Sequence, residues 1–161
     1  SNSGNSYTIN TVRVGSTSIV FCNKMDDTKT ATLDVTVSNT VNYEGKAVWY
    51  YNGYYIAPDD ATGWIPWNAN LNSSCSNKSG ASWKVPTDTE WRTVLGTTSD
   101  NNATSSVYND LKSMFSIGAY YWTVTSTGTN DAYFLAFLDS GAKVHNNSKD
   151  NWCVVRCVAR K

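Results

Sequence analysis

Over Ala31 to Val37 the chain sets Leu33, Val35 and Val37 against Asp34 and Thr36, the period-two alternation of a strand with one buried face. Ile9 to Val14 and Ser18 to Cys22 carry shorter apolar runs of the same kind, so the first third reads as all β after a polar tail over residues 1–6. Lys46 to Ile56, KAVWYYNGYYI, predicts a hairpin turned on Asn52-Gly53, a pair that readily takes the positive φ angles of a type I′ turn. Ala57 to Lys78 is too long and too polar for one buried element and predicts an ordered loop held by Trp64 and Trp67.

The period changes between Ala81 and Leu95. Trp83 and Val85 alternate with Ser82 and Lys84, and Pro86 then disfavours helix for the residue before it. Thr87 stands at an N-cap position with Glu90 three residues on, a capping box, and Trp91, Val94 and Leu95 give the following helix one apolar stripe. Two tryptophans at this corner bury enough surface to tie strand and helix to one core. After a loop over Thr97 to Thr104, Val107, Leu111, Met114 and Phe115 recur at i, i+4, i+7 and i+8, a second helix closing near Gly118. Ala119 to Thr125, Ala132 to Leu138, Ala142 to His145 and Trp152 to Ala159 are four further strands, separated by the turn-forming segments STGTN, DSG and NNSKDN. The order is strands, two helices, then a four-stranded antiparallel end, an α+β class with helices segregated from the sheet and a strand-rich N-terminal third.

With 161 residues the chain is expected to form one domain, residues 1–70 packing as a strand-rich part on residues 71–161. Thirteen basic and thirteen acidic side chains cancel and no stretch collects Lys or Arg into a stripe, so no nucleic-acid partner is expected. No apolar run is long enough to span a membrane. Asn, Ser, Thr and Gly are abundant beside seven Trp and ten Tyr, a mixture common on carbohydrate- and protein-binding surfaces. The four cysteines form no CxxC pair or zinc pattern, and disulfides explain them better, which points to an extracellular or cell-surface location. The N-terminal SNSGNS has neither the charged nor the apolar region of an export signal, so localisation rests on the cysteines.

The succession WKVPTDTEW, YWTVTST, DAYFLAF and VVRCVAR resembles the Fibrobacter succinogenes major paralogous domain family, whose pattern is a Cys followed by GWR-x-P-T-D-x-E-W, a YWSST-like strand, an A-Y-x-L-x-F strand and a terminal VRCV. The likeness spans about residues 75 to 160, while residues 1 to 70 match loosely, with TINTVRVGSTSIVFCN in place of the opening strands. It implies a C-type-lectin-like fold, shared with formylglycine-generating enzymes and with the variable proteins of diversity-generating retroelements. It also implies pairing of Cys75 with Cys157, which leaves Cys22 to pair with Cys153.

Catalytic chemistry finds little support. His145 sits in HNNSKDN without a GxSxG or similar partner pattern and reads as a surface histidine. Asp26-Asp27, Asp59-Asp60 and Asp131 lack calcium-loop spacing, the Glu-Pro-Asn and Gln-Pro-Asp triplets of lectin calcium sites are absent, and no metal or cofactor is expected. Nothing singles out two acids for glycoside cleavage. A formylglycine-generating copper oxidase is the enzymatic alternative, but its reactive cysteines are separated by four residues, whereas three separate Cys153 from Cys157.

A binding role has a positive feature. With Tyr133, Leu135 and Phe137 in the core, alternation sends Phe134, Ala136 and Leu138 to the other face, and that face is apolar too. Either it is a contact surface or it lies under the N-terminal strands or the Trp64 loop. Phe134, Ala136 and Leu138, joined by Asp139, His145, Asn147, Asn151 and Trp152, make the candidate ligand-binding surface of a monomeric, non-catalytic module for a protein or a glycan. In retroelement variable proteins this C-terminal region carries the diversified residues, and the Asn-rich content from Leu138 to Asn151 is compatible with that. A structural or adhesin subunit that uses the apolar face for assembly is a further alternative.

Overall fold

A computed structural model describes residues 15–23, 26–37, 40–43, 45–76, 78 and 82–160. The chain divides into two compact units, Ser1–Asn39 and Thr40–Lys161. Residues 40–66 supply strands to the same sheets as the C-terminal segment.

In the first unit β1 (Gly15–Asn23) and β2 (Asp26–Val37) form an antiparallel two-stranded sheet in which Ile19 faces Leu33 and Ser18 faces Asp34. The Ser18 hydroxyl donates to Asp34 Oδ1, and Val20 and Leu33 are exposed. The strand expected over Ile9 to Val14 lies outside the described residues.

The second unit is mixed α+β with antiparallel sheets. β3 (Thr40–Tyr43), β4 (Lys46–Tyr51), β5 (Tyr54–Asp60) and β11 (Arg156–Arg160) form one sheet in the order β11-β5-β4-β3. Asn52 and Gly53 take φ of 44° and 86° between β4 and β5, the hairpin turn that the sequence predicts. The Asn52 amide then donates to the carbonyls of Val94 and Thr93, which anchors the turn on the end of a helix. That helix, α1 (Asp88–Leu95), begins with the expected capping box: Thr87 Oγ1 accepts from the Glu90 amide at 3.2 Å, and Glu90 Oε2 accepts from the Thr87 amide at 2.9 Å. α2 (Ser105–Leu111) follows, and Met114 and Phe115 complete its apolar stripe from the turn beyond.

The expected four-stranded end is three-stranded. β7 (Ala119–Ser126), β8 (Asp131–Leu138) and β9 (Gly141–Ser148) form it, while the last segment breaks into β10 (Trp152–Cys153), paired with β6 (Ile65–Pro66), and β11, paired with β5. Between them Val154 exchanges backbone hydrogen bonds with Tyr120 and Trp122 at the edge of β7. This segment is buried from Cys153 to Ala159, so its peptide groups need partners on every side, and three neighbours supply them in turn. Lys84 flanks β11 through two further 2.9 Å backbone bonds with Val158, which places the Trp83 corner beside the C-terminal strand.

Both faces of the three-stranded sheet are used. Ala119, Tyr121, Leu135, Phe137, Ala142 and Val144 point into a core shared with Trp91, Val94, Leu95, Leu111, Met114 and Phe115. Trp122, Ala132, Phe134 and Ala136 point the other way, into a second core with Ala57, Leu71, Val85, Val155 and the cysteines 75, 153 and 157. Arg156 stands at the seam, 4% exposed. Its Nε and Nη2 each lie 2.7 Å from Asp60 Oδ1, and its Nη1 donates to the carbonyls of Ala57, Pro58 and Met114. The rings of Trp49, Phe115 and Tyr121 surround the guanidinium at 5.4 to 5.6 Å. A charge this buried is tolerable because its donors are met by carbonyls and a carboxylate.

Candidate functional site

Strand register assembles the site. Across the three-stranded sheet Tyr120 pairs with Ala136 and Ala136 with Lys143, Trp122 pairs with Phe134 and Phe134 with His145, and Ala132 pairs with Asn147. Because side chains alternate, Lys143, His145 and Asn147 of β9 all stand on the second face, beside Phe134 and Ala136. Part of that face is covered. The Trp122 indole donates to the Ile65 carbonyl at 2.8 Å and the Trp67 indole to the Thr123 carbonyl at 2.8 Å, holding residues 65–67 across it. Lys149 Nζ lies 4.5 Å from the centre of the Trp67 ring and donates to the Gly128 and Thr129 carbonyls. The Cys75–Cys157 disulfide ties the short 3-10 helix Leu71–Cys75 to β11. Trp64, expected to hold this loop, is instead 47% exposed and meets only the edge of Tyr120 within the described ring contacts.

Where the cover stops, a pocket of about 460 Å³ opens, lined by Tyr120, Phe134, Leu138, Lys143, His145, Asn147, Asn151, Trp152 and Cys153. Six of the eight candidate residues therefore come together: Phe134, Leu138, His145, Asn147, Asn151 and Trp152. Their roles are unequal. Phe134 is a core side chain, 4% exposed, that also lines the pocket, whereas Trp152 is 63% exposed. Ala136 is 1% exposed under this face and does not line the pocket, and Asp139 is exposed in the turn between β8 and β9, away from it. The apolar face of β8 is thus covered in part, by the segment around Trp67 and by β10, and open where Phe134 and Leu138 line the pocket.

The floor is aromatic. The His145 ring lies 4.4 Å from Phe134, which meets Tyr120 edge-on at 5.6 Å and Trp122 at 5.9 Å. Burial, and then the nearby Lys143 charge, lower the His145 pKa, against opposing effects of Asp100 and the Asn146 backbone. Asn147 uses its Oδ1 to accept the Ser148 amide at 2.8 Å, which leaves its amide hydrogens directed elsewhere.

The expected second bridge, Cys22 to Cys153, falls on a side chain outside the described residues, that of Cys22. Cys153 itself is a free thiol among the described residues, 2% exposed, in the lining of the pocket. Cys157, which points into the same core, is bonded to Cys75. Burial pushes the Cys153 thiol up to about 12, the reverse of what a reactive cysteine requires. Among the described residues no group of three or more His, Cys, Asp or Glu could hold a metal ion, and no helix is long and apolar enough to cross a membrane.

Sequence reasoning missed Tyr120 and Lys143, and named Cys153 as a disulfide partner rather than as part of the pocket. Lys143 was legible, because it stands two residues from His145 on the same strand and must share its face. Tyr120 needed the register of β7 on β8, and Cys153 needed the break in the last strand. The chain matches no protein-family model, and no curated protein matches it.

Proposed function

We propose that the Thr40–Lys161 unit is a non-catalytic binding module of C-type-lectin-like fold, extracellular or on the cell surface, which takes a glycan in this pocket as a monomer. The observation that carries the reading is the pocket itself: an aromatic floor, an exposed Trp152 and the amides of Asn147 and Asn151 around an opening of about 460 Å³. Sugar rings present apolar C–H faces that pack on aromatic rings and hydroxyls that pair with amides. Of the two ligand classes considered from sequence, a protein partner typically needs about 800 Å² of surface on each side, whereas small ligands sit in concavities of roughly 300–1,000 Å³, and this site is a concavity.

The fold assignment rests on the resemblance to the Fibrobacter succinogenes major paralogous domain family and is consistent with the Cys75–Cys157 bond that the resemblance implies. A retroelement variable protein is the more specific form of the reading, since residues 138–151 supply Leu138, Lys143, His145, Asn147 and Asn151 to the lining. The bonded state of Cys157 and the raised pKa of Cys153 weigh against the pair of reactive thiols that an oxidase would use.

A glycan array probed with the full chain tests the reading, with Trp152→Ala as the control. This side chain is largely exposed, so its loss leaves the melting temperature within about 2 °C while binding falls tenfold or more. Failure of the native chain to bind any glycan, or equal binding by Trp152→Ala, overturns the proposal.

A further inference from the structure

The lining is electrically one-sided. It holds an ammonium, Lys143, and an imidazole, His145, and no carboxylate. The acid whose charge His145 feels, Asp100, is already engaged, its Oδ1 lying 2.7 Å from Arg92 Nη2. Asp139 and Asp150 are exposed in turns and do not line the pocket. Lys143 has no hydrogen-bond or ion-pair partner among the described residues, in contrast to Lys149, which is held by two carbonyls and the Trp67 ring. Its ammonium lies close enough to the His145 ring to disfavour a second positive charge there. Lys143 is partly buried in the lining, and a concave, low-dielectric wall focuses its field on whatever enters.

The geometry points to an acidic sugar as the occupant, its carboxylate or sulfate held by Lys143 and its ring packed on the aromatic wall. This inference rests on the glycan reading above and adds the charge of the ligand to it. A competing role for Lys143 exists: β9 is an edge strand, and lysines on edges discourage pairing with other chains. That role requires no ligand, and so the two make different predictions.

The test uses the full chain on an array of defined neutral, uronate-bearing, sialylated and sulfated glycans, with Lys143→Glu and Lys143→Arg beside the native protein and a far-ultraviolet melt of each. Binding confined to the acidic glycans, lowered at least tenfold in Lys143→Glu and kept within about threefold in Lys143→Arg, supports the inference, and the preference between carboxylated and sulfated members identifies the anion. Neutral glycans bound as tightly as acidic ones, or acidic binding untouched by Lys143→Glu, overturns it and leaves the glycan reading standing. No binding to any glycan by the native chain overturns both.

Discussion

Removing the Cys75–Cys157 disulfide by the double substitution Cys75→Ala, Cys157→Ala tests whether residues 71–75 are pinned to the C-terminal strand as the fold requires. The bond closes a loop of 82 residues, for which the chain-entropy relation gives a loss of about 4.5 kcal/mol at 25 °C. Both side chains are essentially buried, at 1% and 0% exposure, so the shortened side chains also leave unfilled space in the second core, and the expected destabilisation is about 3 to 5 kcal/mol. Urea unfolding followed by tryptophan fluorescence is the assay, because all seven tryptophans lie in the Thr40–Lys161 unit and the signal reports on that unit alone. The midpoint falls and the slope rises, since the uncrosslinked unfolded chain exposes more surface. A loss below about 1 kcal/mol would refute the reasoning, for it would mean that the loop stays closed without the bond. Peptide mapping gives an independent check: a Cys75–Cys157 linked peptide, with Cys153 blocked from alkylation at pH 8 until the chain is unfolded. A linkage through Cys153 would contradict the buried free thiol.

Two further predictions address the site and the corner. The single histidine should titrate by NMR below its ordinary value of 6.5, and Lys143→Ala should move its midpoint upward, because burial and then the Lys143 charge hold it down. In the window between the native value and 6.5 the unfolded chain binds more protons, so the His145 contribution favours folding above 6.5, erodes as pH falls through it and is fully lost below the native value; a midpoint at or above 6.5 contradicts this. Thr87→Ala removes one arm of the capping box and should cost about 1 kcal/mol, read as a lower urea midpoint at unchanged slope, while an unchanged midpoint would show that α1 is held by its packing alone.

Features set by neighbours in the chain were legible from sequence. The capping box depends on Thr87 and Glu90, the hairpin turn on Asn52-Gly53, and the two faces of β8 on simple alternation, and each of these forms as its local pattern dictates. The pairing of Cys75 with Cys157 was available only through the resemblance, since four cysteines alone leave several connectivities open. What the tertiary structure decided was which faces are covered. A strand pattern shows that a face is apolar but is silent on what lies over it; here the cover is fixed by contacts such as the Trp122 indole on the Ile65 carbonyl, 57 residues away in sequence. The break of the last strand into β10 and β11 follows from three separate backbone partners for one buried segment, and none of them is encoded near it in the chain. The pocket exists because that cover ends before β9 does, leaving Lys143, His145 and Asn147 in the open part of an otherwise buried face.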